Sequence, residues 1–407
     1  MSMDTVTYIL SGGVGERLSP LTLSRSKPSV PFGGIYRLID FTLTNCTRSD
    51  LRRIYLLTQY RSESLQRHLS SGWNFFNTQM GEFILPLPPQ MRFGEQWYQG
   101  TADAIFQNLY GLQRDKPARV LILSGDHIYR MDYRKLMTFH LLRVAEISIV
   151  TFPVAIEEAK RFGCVEIDDD GRIIAFHEKP SNPPPIPGDP TKAMVNMGVY
   201  LADTSVLAHL VSEDARNKDS SHDFGKNIFP NAVKHHAIYS FPFPEGCPDD
   251  PPFWMDVGTV DSYYDVSMDM LDGTGFRLHN SEWPAHTYFQ PSAPAHMNDA
   301  RIDRSLVSPG CTLTGCTLSR SILSPGVTIG KNTVVENSIL FDGVEIGSNC
   351  HVMGVIADKY SRVPDGTSIG PDPSSGPPHF YVTAKGVKVL KRGVDLGRLQ
   401  EPDESYP

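Results

Sequence analysis

The chain has 407 residues, enough for two or three domains at about 150 residues each and for a core that needs no disulfide staples. Its 40% hydrophobic and 21% charged content exclude a disordered chain and suit a globular enzyme. The 38 basic and 46 acidic side chains leave a net charge of −8 with no basic tail. Nucleic acid is therefore not an expected partner, whereas a small anion needs only a local basic cluster.

Six cysteines (Cys46, Cys164, Cys247, Cys311, Cys316 and Cys350) are scattered along the chain. The close pair, Cys311 and Cys316, lacks the partners of a zinc site, so reduced thiols in a cytoplasmic protein are expected. No charged-then-apolar leader opens the sequence and no apolar run is long enough for a bilayer, so no membrane partner is expected.

In chain order, residues 6–10, 54–58, 120–124 and 147–152 read as short buried strands. Between them, residues 38–46 place Ile39, Leu43 and Cys46 on one helical face, and residues 101–114 do the same with Ala102, Ile105, Phe106, Leu109 and Leu112. This alternation predicts βαβ units and a mostly parallel α/β sheet, with ligands beyond the carboxyl ends of the strands. Residues 180–190 read as a Pro-rich surface loop, and a helix start is expected at Asp223. The catalytic region is expected to span 1–280 and a linker 281–297.

From 298 to 407 the chain repeats. Ser305-Leu306-Val307-Ser308-Pro309-Gly310 is echoed from Ser321 and again from Ser338, with a degenerate fourth copy expected from Val363 to Ile369-Gly370. The spacing approaches three hexapeptides, one coil of a parallel β-helix in which each coil covers the apolar edge of the next. A β-sandwich with similar turns is the alternative.

Three motifs carry chemistry. The first strand runs into Ser11-Gly12-Gly13-Val14-Gly15-Glu16-Arg17, whose glycines let several N–H groups converge on phosphate oxygens. It is neither a Walker loop nor a Rossmann fingerprint, and many such turns are simple connections. Arg17, Arg25 and Lys27 add cations within reach. Asp126 follows a buried strand, where a turn or helix-cap role competes with a functional one. Together with Asp256 it could hold one Mg²⁺. Glu178 suits sugar hydroxyls and Lys179 a phosphate, provided the strand ends there so that both face one ligand; a solvated surface pair is the alternative.

These motifs, with Arg25-Ser26-Lys27-Pro28, Tyr36-Arg37-Leu38-Ile39-Asp40, Leu57-Thr58-Gln59-Tyr60, Trp97-Tyr98-Gln99-Gly100-Thr101 and Ser221-His222-Asp223-Phe224-Gly225-Lys226, resemble the sugar-1-phosphate nucleotidylyltransferases. The segments at Tyr36, Trp97 and Ser221 resemble the ADP-glucose-forming branch, the glucose-1-phosphate adenylyltransferases. The resemblance runs from Tyr8 to about Gly370. It implies a nucleotidyltransferase sheet followed by a left-handed parallel β-helix. It implies that Gly12, Gly13, Gly15, Arg17, Lys27 and Gln59 hold ATP, with Arg17, Lys27 and Asp126 catalytic. Asp126 and Asp256 would bind Mg²⁺, and Tyr98, Gly163, Glu178, Lys179 and Asn196 would contact glucose 1-phosphate. It further implies a homotetramer under small-molecule allosteric effectors, for which Arg25 and Lys385 are candidate contacts. Asn196 stands where many members have Ser, and Glu16 where Thr is common. An amide still hydrogen-bonds a sugar, and an acid so near a triphosphate is expected to point away.

On the residues alone nothing separates ATP from UTP or dTTP; the resemblance selects ATP. A non-catalytic regulatory subunit would be expected to lose a basic or acidic site residue, and this chain keeps them. An acyltransferase β-helix would use a His near its coils, and His351 alone lies within the repeats.

Overall fold

The computed structural model describes residues 4–90, 97–243, 252–370 and 380–398; Cys247 lies outside them. The other five cysteines are free and buried. No helix among the described residues is long and apolar enough to cross a membrane. The chain divides into two compact units that interleave along the sequence. One comprises Met1–Gly13, Phe41–Ser62 and Trp73–Trp254, the other Val14–Asp40, Glu63–Gly72 and Met255–Pro407.

The first unit is built on a mixed α/β sheet. Arg119–Ser124, Thr5–Ser11, Arg53–Thr58 and Phe83–Leu87 lie side by side and parallel. The four expected strands form, as Thr5–Ser11, Arg53–Thr58, Arg119–Ser124 and Ile147–Ala155, because their Val, Ile, Leu and Tyr side chains are buried; Phe83–Leu87 is an additional strand. The long strand Lys192–Asp203 then runs antiparallel to Arg119–Ser124, Ile147–Ala155 and Gly163–Ile167, so the parallel order does not extend across the whole sheet. The expected helix at 38–46 forms as Leu38–Arg48.

The expected single helix over 101–114 is instead two, Thr101–Phe106 and Leu109–Asp115. Asn108 breaks it. Its side-chain amide donates to the Ala104 carbonyl (2.8 Å) and to the Tyr98 hydroxyl (2.9 Å), while the Tyr8 hydroxyl donates to its carbonyl (3.0 Å). These bonds compete with the helical ladder.

In the second unit three ladders of short parallel strands stack into a β-helix. Leu306–Val307, Ile322–Leu323, Ile339–Leu340 and Val355–Ala357 form one ladder, in which Leu306 pairs with Ile322, Ile322 with Ile339 and Ile339 with Ile356. The fourth copy starts earlier than the expected Val363: Val355–Ala357 stacks on Ile339–Leu340 as its leading strand, while Arg362–Val363 pairs with Glu345–Ile346 and so belongs to the end of a copy, not its start. Leu313, Leu318, Leu323, Ile329, Val335, Leu340 and Val352 fill the interior. Asn332, Asn337 and Asn349 turn corners at positive φ, where Asn is among the few side chains that fit.

The repeated serines have a mechanical reason. The Ser305 hydroxyl accepts from the Ser321 N–H (3.0 Å), Ser321 from Ser338 (3.1 Å), and Ser338 from Val355 (3.2 Å). Ser321 and Ser338 also donate to the carbonyls of Ser319 and Glu336. Each hydroxyl therefore satisfies a main-chain N–H of the next coil.

The segment Val14–Asp40 packs in this same unit. Arg25 is not a surface cation, as its candidacy for an effector contact required. Its guanidinium is bidentate to Asp358 at 2.8 and 3.1 Å, with both side chains 3% exposed. Lys385, the other candidate, is exposed and paired with Asp265 (2.6 Å). Residues 286–288 are pinned as well. His286 meets the Gly72 carbonyl (2.7 Å), and Thr287 donates to Asp40 (2.6 Å), whose other oxygen meets the buried His68 (2.6 Å).

The serine ladder predicts that Ser321→Ala, which strands the buried Ser338 N–H, costs about 1–3 kcal/mol of stability. Denaturant midpoints of the two proteins measure the difference.

Candidate active site

Gly12, Gly13, Gln59, Tyr98, Asp126, Gly163, Glu178, Lys179 and Asn196 belong to the first unit, and Gly15, Arg17, Lys27 and Asp256 to the second. Each set has its own geometry.

In the first unit the glycine turn leaves the carboxyl end of Thr5–Ser11, where the Gly125 N–H donates to the Leu10 carbonyl (3.1 Å). A Cβ on Gly12 would stand 3.3 Å from that of Gln59. The Gln59 amide is engaged with the backbone of Tyr98, accepting from its N–H at 3.1 Å and donating to its carbonyl at 3.5 Å. The Tyr98 hydroxyl donates to the Leu87 carbonyl (3.2 Å) and accepts from Asn108. Burial pushes this phenol up to about 12. The polar groups of Tyr98 thus have protein partners, and its ring packs, partly buried, against the core of the first unit.

Asp126 sits between Arg119–Ser124 and His127–Tyr129, and no helix begins there, which excludes the helix-cap reading. The Ser124 hydroxyl donates to its carboxylate. His127 Nε2 lies 3.6 Å from Asp126 Oδ1, and its Nδ1 faces the Trp254 indole N–H at 3.4 Å. An indole nitrogen only donates, so Nδ1 accepts, and Nε2 is the ring nitrogen turned toward Asp126. Sequence reasoning missed this arrangement.

Glu178 closes the strand Ile173–Glu178, opposite Gly163. A Cβ on Gly163 would meet Phe176 at 2.7 Å and Glu178 Oε2 at 2.9 Å, and one on Gly225 would meet Oε2 at 2.5 Å. Two glycines therefore make the slot for this carboxylate. Lys179 then turns to φ +47°, donates its N–H to the Phe162 carbonyl (3.1 Å) and brings Nζ to 3.3 Å from Glu178 Oε1. The strand does end where shared contact requires it. Asn196 lies at a register shift of Lys192–Asp203. Its Oδ1 accepts from the Gly198 N–H (2.8 Å) and its amide donates to the Tyr200 hydroxyl (2.7 Å), so its ligand capacity is partly used.

The segments at Trp97 and Ser221 interlock. The His222 carbonyl accepts from the Ala102 N–H (2.8 Å), and Thr101 donates to Asp223 (3.1 Å) while accepting from the Phe224 N–H (3.0 Å). A Cβ on Gly100 would fall 2.2 Å from the His222 carbonyl oxygen. Asp223 caps the π-helical turn Phe224–Ile228, as its expected role at a helix start requires.

In the second unit Gly15 takes φ 68° and opens the turn Glu16–Leu18, on which Glu16 and Arg17 are exposed. Its carbonyl accepts from the Thr22 hydroxyl (2.9 Å), and a Cβ there would stand 3.1 Å from Thr22 and 3.3 Å from Lys27. Lys27 Nζ reaches Asp256 Oδ1 at 2.9 Å, both groups partly exposed. Gly258 stands beside this pair, its Cβ position 3.5 Å from both Arg17 Nη2 and Asp256 Oδ2. Two cations and a carboxylate thus meet at one glycine-lined place, suited to phosphate oxygens and a hard cation.

The nucleotidyl transferase family model matches residues 6–273, and the GlmU-like C-terminal hexapeptide model matches 284–390. The chain is 43% identical to glucose-1-phosphate adenylyltransferase 2 of Vibrio cholerae, over 95% of this chain and 97% of that protein. It is 41% identical to the glucose-1-phosphate adenylyltransferase of Rhodopirellula baltica, over 97% and 91%. The Koribacter versatilis enzyme of that name is likewise 41% identical, over 97% of both chains. The chain is a nucleotidyltransferase and belongs, within that class, to the glucose-1-phosphate adenylyltransferase family.

Proposed function

We propose that the chain joins ATP and α-D-glucose 1-phosphate into ADP-glucose and pyrophosphate, the glucosyl donor for α-glucan (glycogen) synthesis. The observation that carries this reading is near-full-length identity of 41–43% to enzymes of that name. The grouping of Arg17, Lys27 and Asp256 around Gly258 supports it.

The phosphate of glucose 1-phosphate is an anion at neutral pH and needs no general base. One of its oxygens attacks the α-phosphorus in line, the bond from that phosphorus to the β-phosphate bridge breaks, and pyrophosphate departs with the electron pair. The protein's task is positioning and charge neutralisation. In this reading Gly12, Gly13, Gly15 and Gln59 seat the nucleotide, and Arg17 and Lys27 neutralise the departing pyrophosphate. Gly163, Glu178, Lys179, Asn196 and the Tyr98 ring hold the sugar phosphate.

Asp126 and Asp256 would hold Mg²⁺. Their oxygen donors suit that ion, and Asp256 already faces a cation in Lys27. Bound there, the metal would supply Lewis-acid neutralisation of the phosphates. The family resemblance extends the proposal to a cytoplasmic homotetramer under small-molecule effectors, with catalytic and β-helix domains divided at residues 281–297.

Asp126→Asn is expected to lower Mg²⁺-dependent pyrophosphate release by about 100-fold or more while the fold survives. Near-normal turnover at saturating Mg²⁺ would contradict the assignment. Gly163→Ala, by driving Glu178 from its slot, should raise KM for glucose 1-phosphate about 10-fold and leave KM for ATP unchanged. Initial-rate kinetics on both substrates measure the split.

A further inference from the structure

In the β-helix ladder, Ser308, Ser324, Phe341 and Asp358 occupy one repeat position. Their N–H groups donate to Leu323, Leu340, Ala357 and Leu390, each on the next strand of the ladder. The first two coils turn there with Ser-Pro-Gly; the next two substitute Phe341-Asp342-Gly343 and Asp358-Lys359-Tyr360. A hydrophobic ring and three charges are costly replacements at a turn the fold can make with Ser and Pro.

Four of the five replacement side chains, all but Tyr360, face partners that the repeat does not require. Asp358 takes the buried Arg25 fork. Lys359 pairs with Asp342 (3.0 Å). Phe341 packs edge-on against Tyr263 (6.3 Å), whose hydroxyl donates to the Pro31 carbonyl (2.7 Å). The segment 21–34 is thereby pinned at Arg25 and Pro31, and again at Gly34, where a Cβ would stand 2.7 Å from the Ser308 hydroxyl. Arg25 also donates to the Leu21 carbonyl (3.3 Å), closing the turn that carries Thr22. Thr22 bonds Gly15, and Lys27 lies two residues beyond Arg25 and against Gly15.

We propose that the Arg25–Asp358 pair is a positioning device through which the β-helix fixes Gly15 and Lys27, setting nucleotide affinity from outside the nucleotide site. This rests on the reading of Gly15 and Lys27 as ATP-phosphate groups. A bidentate guanidinium–carboxylate pair fixes orientation as well as distance. An amide or an ammonium does not reproduce it.

The test is Asp358→Asn, with Arg25→Lys, which keeps the buried charge paired, as the second variant should the first not fold. Hydrogen exchange without nucleotide is expected to quicken at least about 10-fold at amides 15–30 while the ladder strand Val334–Glu336 is unchanged. KM for ATP should rise about 10-fold with KM for glucose 1-phosphate within about twofold, and the exchanged pair Arg25→Asp with Asp358→Arg should recover part of the loss. Unaltered exchange at 15–30, or both KM values rising together, would overturn the proposal. A wild-type protein that does not turn over ATP would instead strike the functional reading, and the exchange result would still decide the role of the pair.

Discussion

One buried ion pair orders much of the second unit. Arg25 and Asp358, 333 residues apart, meet through two hydrogen bonds with almost no solvent contact. Removing two charges from water costs several kcal/mol each, and losing one partner of such a pair typically costs about 3–5 kcal/mol. Such a contact adds little net stability, but it tolerates little misalignment. The segment between the glycine turn and Asp40 therefore cannot shift along the β-helix without leaving a buried charge unpaired. The contacts of Tyr263 with Pro31 and of Ser308 with Gly34 follow from that register.

Chemistry of the proposed kind makes such rigidity useful. Two phosphate-bearing anions repel each other, and no proton transfer helps them react, so rate comes from holding groups still and in line. The first unit uses the same approach. Gln59 clamps the backbone of Tyr98, Gly163 and Gly225 make the slot for Glu178, and Trp254 sets the His127 ring. In each case a group of the candidate site is held in place by a neighbouring residue.

Most of the regular structure was legible in the sequence because it depends on local pattern. Strands such as Thr5–Ser11 bury both faces and read as apolar runs. The serine-led repeat gave away the coil spacing because each hydroxyl must meet the next coil's N–H. The break at Asn108 was hidden because one of the hydrogen bonds behind it comes from Tyr8, a hundred residues away. Arg25 misled for a similar reason. Next to Lys27 it reads as a phosphate-binding cation, and only the fold shows that its charge is taken by Asp358. The motifs at Trp97 and Ser221 were visible as words, but their interlock through Gly100 and Thr101 was not. The Ser-to-Phe and Ser-to-Asp changes at 341 and 358, in the third and fourth repeats, were the one sequence signal of the brace.

The most direct measurement of the central claim is pyrophosphate release by the purified chain with Mg²⁺ and glucose 1-phosphate, comparing ATP, UTP and dTTP. Release with ATP far above the other two is the predicted result. Release mainly with UTP or dTTP would contradict the adenylyl assignment, and release with none of them would contradict catalysis itself.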